Sequence, residues 1–189
     1  RRCIRSLLNQ DLSRQAYEII VVDDNSSDNS TEILEPFVGS GEIRLITNKQ
    51  NLGIGGSSRV GVNHSRAKYF VRVDADDFVQ PSFLYMLSTV LRFRTDLVGV
   101  SCDYFLTDND EQVISVESFK DKNIACGLML RTSYLESIGS YDPEKRVWVI
   151  DDGNQVIHIF SNDGKKLLQT IGTPRVTTER NANSLPKQH

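Results

Sequence analysis

Asp74, Asp76 and Asp77 put three carboxylates into four residues at the end of an apolar run, Tyr69-Phe70-Val71-Arg72-Val73. Like charge at that density calls for a cation. If strand geometry persists, carboxylates at i and i+2 face the same way, so Asp74 and Asp76 converge on one ligand. A pair of carboxylates together with substrate phosphates is the usual holder of a hard divalent metal. The competing reading is an acidic turn that caps a following helix over 82–93, opened by Pro81, because Asp is a common turn and cap residue. A second acidic pair, Asp23-Asp24, closes another apolar run, Glu18-Ile19-Ile20-Val21-Val22.

The elements that position these groups alternate along the chain. Helical spacing of Ile4, Leu7 and Leu8 marks residues 1–10, and 18–22 reads as a strand buried on both faces. A helix over 31–37, a strand over 43–47, a Gly- and Asn-rich turn over 48–56, a helix over 57–65 and a strand over 69–73 follow. The rhythm predicts an α/β fold with a mostly parallel sheet and helices on both faces. Ligands of such sheets sit outside the carboxyl ends of the strands, where both acidic groups fall, so the two face one crevice. That raises the binding reading above capping. Asn51 and Gly53 lie in the turn before the helix, where glycine permits close backbone approach and free N–H groups suit phosphate or ribose oxygens; a plain loop is the alternative. Beyond this region, 96–105 reads as a strand, 108–111 as a turn into 112–116, and 124–130 as a return to the sheet. Thr132 is expected to cap a short helix that stops at Gly139.

Several function classes are excluded. With 22 basic and 25 acidic residues and a net charge of -3, the 189-residue chain has neither a nucleic-acid footprint nor a polybasic membrane patch. Cys3, Cys102 and Cys126 are odd in number and widely spaced, which points to buried, reduced thiols in a cytoplasmic chain. No apolar run reaches the length of about 18 residues that spans a bilayer, so any membrane association is peripheral. His64, His158 and His189 are scattered and suggest no metal cluster. No nucleophile elbow occurs, and no Gly-x-Gly-x-x-Gly follows the first strand, which removes the hydrolase and dinucleotide-dehydrogenase readings.

Taken in order, Tyr17-Glu18-Ile19-Ile20-Val21-Val22-Asp23-Asp24-Asn25-Ser26-Ser27-Asp28, Asn51-Leu52-Gly53-Ile54-Gly55, Tyr69 to Asp77, and Ala125-Cys126-Gly127-Leu128-Met129-Leu130-Arg131 with Ile138-Gly139-Ser140-Tyr141-Asp142 carry a resemblance. Over residues 1–144 the chain resembles a family 2 glycosyltransferase of the inverting, GT-A type. The resemblance implies a nucleotide-sugar donor, with UDP favoured, and Mg2+ or Mn2+ on its diphosphate. It implies Asp76 as the metal-bridging ligand, Asp74 at the ribose or metal shell, and Asp24 as the reader of the donor base. For Asp23, loop support and direct contact stand equal. The acceptor would be a polysaccharide or glycolipid.

The chain also departs from that family. The family's opening strand, of the type Val-x-Val-Ile-Ile-Pro-x-Tyr-Asn, is absent before the helix at 1–10, which leaves a neighbouring strand with an unpaired edge. After Glu144 the family's Glu-Asp pair, whose Asp is the general base, is not evident, so sugar transfer by this chain is expected to be weak or absent. Asp151 and Asp152 stand near the right distance as weak catalytic candidates. Residues 146–173 instead alternate short β-runs with Asp-Gly and Gly-Asn turns, an antiparallel meander resembling one blade of an NHL-type β-propeller. The expected domains are therefore 1–144, 145–173 and a polar, disordered tail over 174–189. An alternative function is a non-catalytic interaction module that uses the β-segment.

Overall fold

A computed structural model describes residues 1–119, 126–137, 147–151, 156–160 and 167–171. The chain divides into two compact units, 1–141 and 142–189. The first opens with helix α1, Arg2–Leu8, and a 3-10 turn, Arg14–Ala16, and continues with β1 (Ile20–Asp23), α2 (Ser30–Gly39), β2 (Arg44–Thr47), α3 (Gly53–His64), β3 (Tyr69–Val71) and α4 (Phe83–Phe93). Strands β4 (Gly99–Val100), β5 (Tyr104–Thr107), β6 (Val113–Glu117) and β7 (Met129–Arg131) follow, and then α5 (Thr132–Ser137).

Strand β1 pairs with β2 in parallel, while β7 runs antiparallel to both β3 and β4, so β3 and β4 run with each other. Alternation along each strand assigns its side chains to opposite faces. Val21 packs with Ile4, Ile19, Ile43 and the α1 and α2 residues Leu7, Leu34 and Phe37. Its neighbour Val22 points the other way, toward α3, where a Cβ on Gly61 would sit 3.6 Å from it and 3.8 Å from Phe70. On β3, Tyr69 and Val71 join the cluster of Leu84, Leu87, Leu91 and Met129, whereas Phe70 joins Val62, Leu130 and Leu135. Helices thus cover both faces of the β1-β2 pair and of the β3-β7-β4 sheet, in an α/β arrangement as the alternating pattern predicts. Among the described residues, β1 and β3 each keep one edge without a strand partner.

Several boundaries differ from expectation, each for a local reason. The strand expected over 96–105 is two pieces, β4 and β5. The break over 101–103 coincides with Asp103 accepting a hydrogen bond from the Phe119 N–H at 2.9 Å. Strands β5 and β6 form the predicted hairpin, whose turn is tied by Asp108 accepting from the Asp110 and Gln112 amides. Of the expected strand over 124–130, the described part becomes β7 only at Met129, after a turn at Cys126 and Gly127. Thr132 is the first residue of α5 rather than its cap, because its hydroxyl donates to the Ala67 carbonyl at 2.8 Å. Gly139 lies outside the described residues. Arg131 closes the C-terminal end of α4, donating to the carbonyls of Leu91, Arg94 and Leu97, where a cation also meets the negative end of the helix dipole. In the second unit, β8 (Val147–Asp151), β9 (Val156–Phe160) and β10 (Leu167–Ile171) form an antiparallel meander in the order β10-β9-β8.

Candidate functional site: a braced loop and an acidic turn at the strand ends

At the carboxyl end of β1 the chain reverses sharply, with Asn25 in the left-handed region at φ 62°. Asp23, 6 % exposed, turns inward and accepts from the Ser26 amide at 3.2 Å. Asp24 reaches across to the start of α3. One of its oxygens accepts from the Asn48 amide group and the Leu52 N–H, both at 2.8 Å, and the other from the Gly53 N–H at 2.8 Å. Gly53 needs to be glycine, since its φ is 69°. The expected turn over 48–56 is therefore shorter: residues 53–56 already belong to α3, because a carboxylate at a helix N-terminus satisfies its orphan N–H groups. Asn51 completes the loop, accepting from the Gly53 N–H at 3.1 Å and donating to the Asp24 carbonyl at 3.4 Å.

Burial pushes the Asp24 carboxyl up, but hydrogen bonds from Leu52, Asn48, Ser57 and Gly53 outweigh it and hold it below its ordinary value of 3.8. A depressed folded pKa contributes stability that is complete above the unfolded value and is lost as pH falls through the folded one. In Asp24→Asn the new amide group faces N–H donors. We expect it to cost roughly 1–2 kcal/mol at pH 7 in urea unfolding, discounted for partial exposure, with a smaller difference from the parent at pH 3. A pH-independent difference would contradict the carboxylate's role.

At the end of β3 the strand stops at Val71, short of the expected Val73. The Arg72 carbonyl accepts from Gly127 N–H at 3.1 Å, and the Asp77 N–H then closes a turn on the Asp74 carbonyl at 3.1 Å. Strand geometry does not persist through Asp74 and Asp76, so the i, i+2 convergence argued from alternation does not apply; the two are members of a turn. The Asp74 carboxylate is instead held by the Arg72 guanidinium, with Nε at 2.8 Å and an Nη at 3.1 Å. The Asp77 carboxylate lies near the Cys126 thiol, which is held above its ordinary value by burial first and then by this neighbour. Asp76 is exposed, and among the described residues its carboxylate has no hydrogen bond or ion pair; only its carbonyl is engaged, by Arg2 at 3.3 Å. Arg2 also lies 4.6 Å over the Phe78 ring and pairs with Glu111 at 3.2 Å, fastening the hairpin turn to this loop.

Both acidic groups thus lie at strand ends, as the topology rule implies. Asn48, Ser57 and Arg72, which organise the site, were not singled out from sequence; Asn48 directly follows β2, so the same strand-end rule would have found it. Arg72 offered no such signal, because a charged residue inside an apolar run reads as a solvated position. Among the described residues no group of three or more potential ligands converges on a metal, so the protein offers one or two carboxylates. That fits a hard cation completed by substrate phosphates. Cys3 and Cys126 are buried as expected, but Cys102 is exposed, because its segment leaves the sheet after β4. Asp151 ends β8, and Asp152 lies outside the described residues.

Residues 1–127 match the family described as Glycosyl transferase family 2. An uncharacterized glycosyltransferase of Haemophilus influenzae is 30% identical over 141 residues, which is 74% of this chain and 43% of that protein. The crystal structure of S. aureus TarS 1-349 in complex with UDP superimposes with a TM-score of 0.64 at 18% identity, over 76% of this chain and 46% of that one. The mannosyltransferase PcManGT from Pyrobaculum calidifontis, in complex with GDP-Man and Mn2+, gives a TM-score of 0.59 at 17% identity, over 75% and 43%. These structures share the GT-A fold of the first unit. The chain spans less than half the length of each of these proteins.

Proposed function

The chain belongs to glycosyl transferase family 2, and from that membership we propose that residues 1–144 bind a nucleotide-diphosphate sugar for transfer to a polysaccharide or glycolipid acceptor. One observation carries the reading: the Asp76 carboxylate, without a hydrogen bond or ion pair among the described residues, stands after the end of β3, while Asp24, after the end of β1, braces the start of α3. Asp76, aided by Asp74, would hold Mg2+ or Mn2+. When bound, that cation neutralises charge developing on the leaving diphosphate. Asp24, which accepts within the loop from Asn48, Leu52, Ser57 and Gly53, is the residue that the family resemblance would set against the donor base. Asp23, Asn51 and Gly53 would shape the rest of the donor pocket, with UDP favoured.

In an inverting transfer the acceptor hydroxyl oxygen bonds to the anomeric carbon as the bond to the diphosphate oxygen breaks, and the hydroxyl proton passes to a base. Asp151 and Asp152 are the candidates for that base in this chain. Because neither stands in a Glu-Asp pair of the family's type, we propose that transfer by this chain is weak or absent while donor binding persists. Calorimetric titration with UDP should show binding in the presence of Mn2+ that is lost with a chelator. Metal-independent binding, or none, would overturn the donor-site reading, and robust sugar transfer would overturn the impaired-catalysis part.

A cytoplasmic setting is supported by the three free thiols, and peripheral membrane contact is compatible with a chain in which no described helix is long and apolar enough to cross a membrane. We propose residues 145–173 as a separate NHL-type blade, a reading supported by the three-stranded meander alone. The matches to glycosyltransferases do not favour a non-catalytic interaction module.

A further inference from the structure

Residues 72–82, between β3 and α4, form neither helix nor strand, so their backbone groups depend on other parts of the chain for partners. One stripe of side chains supplies several of them. Arg2, Ser6 and Gln10 stand at i, i+4 and i+8 on one face, the first two on α1 and the third just past its end. An Arg2 Nη donates to the Asp76 carbonyl at 3.3 Å. The Ser6 hydroxyl gives its proton to the Cys3 carbonyl at 2.7 Å, which leaves its oxygen to accept from the Val79 N–H at 3.1 Å. Gln10, 8 % exposed, commits its whole amide group: the nitrogen donates to the Ser6 and Gln80 carbonyls and the oxygen accepts from the Leu84 N–H, all at 2.9 Å. The Asp11 N–H adds a bond to the Pro81 carbonyl at 2.8 Å. The loop that leaves the acidic turn is thus fastened along α1 from Asp76 to the start of α4.

We propose that Arg2, Ser6 and Gln10 are positioning residues: they fix this loop, and through it the Asp76 carboxylate, for the cation on the donor diphosphate. The cation part rests on the donor-site reading above; the fastening of the loop to α1 does not. The Asp76 side chain has no hydrogen bond or ion pair among the described residues, so its place follows from its backbone. That backbone is held on one side by the turn's own bond, from the Asp77 N–H to the Asp74 carbonyl at 3.1 Å, and on the other by the stripe. Groups that orient a metal ligand without touching the metal change metal affinity by about tenfold or more when removed. Gln10 taken alone would be a cap for the Leu84 N–H at the start of α4, but the Arg2 and Ser6 contacts at Asp76 and Val79 lie ahead of that helix.

The test compares Ser6→Ala, Ser6→Thr and Arg2→Ala in the full chain, with Ile43→Ala as a stability control. Ile43 is 5 % exposed, just before β2, and packs with Ile4 and Ile19. Amide hydrogen exchange is read by NMR at Asp77 and Val79, with Leu91 as a core reference. In Ser6→Ala, Val79 loses its acceptor, and both Val79 and Asp77, which Ser6 does not touch, should exchange about tenfold faster relative to Leu91. Mn2+-dependent UDP affinity should fall by about tenfold. Ser6→Thr, which keeps the hydroxyl, should restore both, and Arg2→Ala should accelerate Asp77 and weaken binding in the same direction. Ile43→Ala should lower Tm and leave UDP affinity unchanged. If acceleration stays confined to Val79, if threonine and alanine behave alike, or if Ile43→Ala loses as much affinity as Ser6→Ala, the positioning role is overturned. If exchange responds as expected but the parent chain binds no UDP with Mn2+, the fastening of the loop stands and the cation part falls with the donor-site reading.

Discussion

Asp76→Ala should lower Mn2+-dependent UDP affinity by about a hundredfold, close to 3 kcal/mol, while leaving the melting curve unchanged. The reason lies in the different partners of three adjacent carboxylates. Asp76 is exposed and gives its side chain to nothing else among the described residues, so truncation removes a ligand without leaving a buried group unpaired. Asp74→Ala behaves differently. It strands the Arg72 guanidinium, whose side chain is 19% exposed, and so is expected to destabilise the fold as well as weaken binding. Calorimetry paired with thermal unfolding separates the two. Unchanged UDP affinity in Asp76→Ala would sink the metal assignment, and a large loss of stability there would show a structural role that the geometry does not contain.

The largest expected loss of stability comes from Leu91→Ala. Leu91 is fully buried at 0% exposure on the inner face of α4, against Leu84, Leu87 and Met129. Deleting its side chain removes transfer energy and leaves a cavity that close-packed neighbours fill only in part, at a cost of about 3 kcal/mol and roughly 10 °C in Tm. Met129 belongs to β7, which pairs with β3, so the cavity loosens the strand that ends in the acidic turn. Ile114, 68% exposed on β6, is the control: its change to alanine should stay within about 0.5 kcal/mol. Urea unfolding of both variants measures the contrast; a Leu91→Ala loss below about 1 kcal/mol would contradict this packing.

Much of the α/β architecture was legible because its cause is local. The runs around Val21-Val22 and Phe70-Val71 are apolar on both faces, and helical spacing at Leu84, Leu87 and Leu91 marks the core side of α4. What failed were ends and turns. Residues 53–56 read as a loop because glycine disfavours helix, yet they begin α3 because Asp24, 29 residues away from Gly53, satisfies the helix N-terminus. Val73 read as strand, yet the chain leaves the sheet at Val71 because Gly127 and Arg72 capture the backbone and side chain that would have continued it.

By itself, the sequence determined which residue types stand at the strand ends: Asp23-Asp24 close one apolar run and the turn of Asp74 to Asp77 follows another. Periodicity suffices for that, because burial repeats with the strand and helix periods. Only the tertiary structure decided how the carboxylates divide their work. Asp24 became the brace of α3, Asp74 the partner of Arg72, Asp77 a neighbour of the buried Cys126 thiol, and Asp76 the one without a side-chain partner among the described residues. Those assignments depend on contacts between residues far apart in the chain, such as Cys3 with Asp74 and Asp24 with Gly53. Local spacing carries no information about which distant donor reaches an oxygen first.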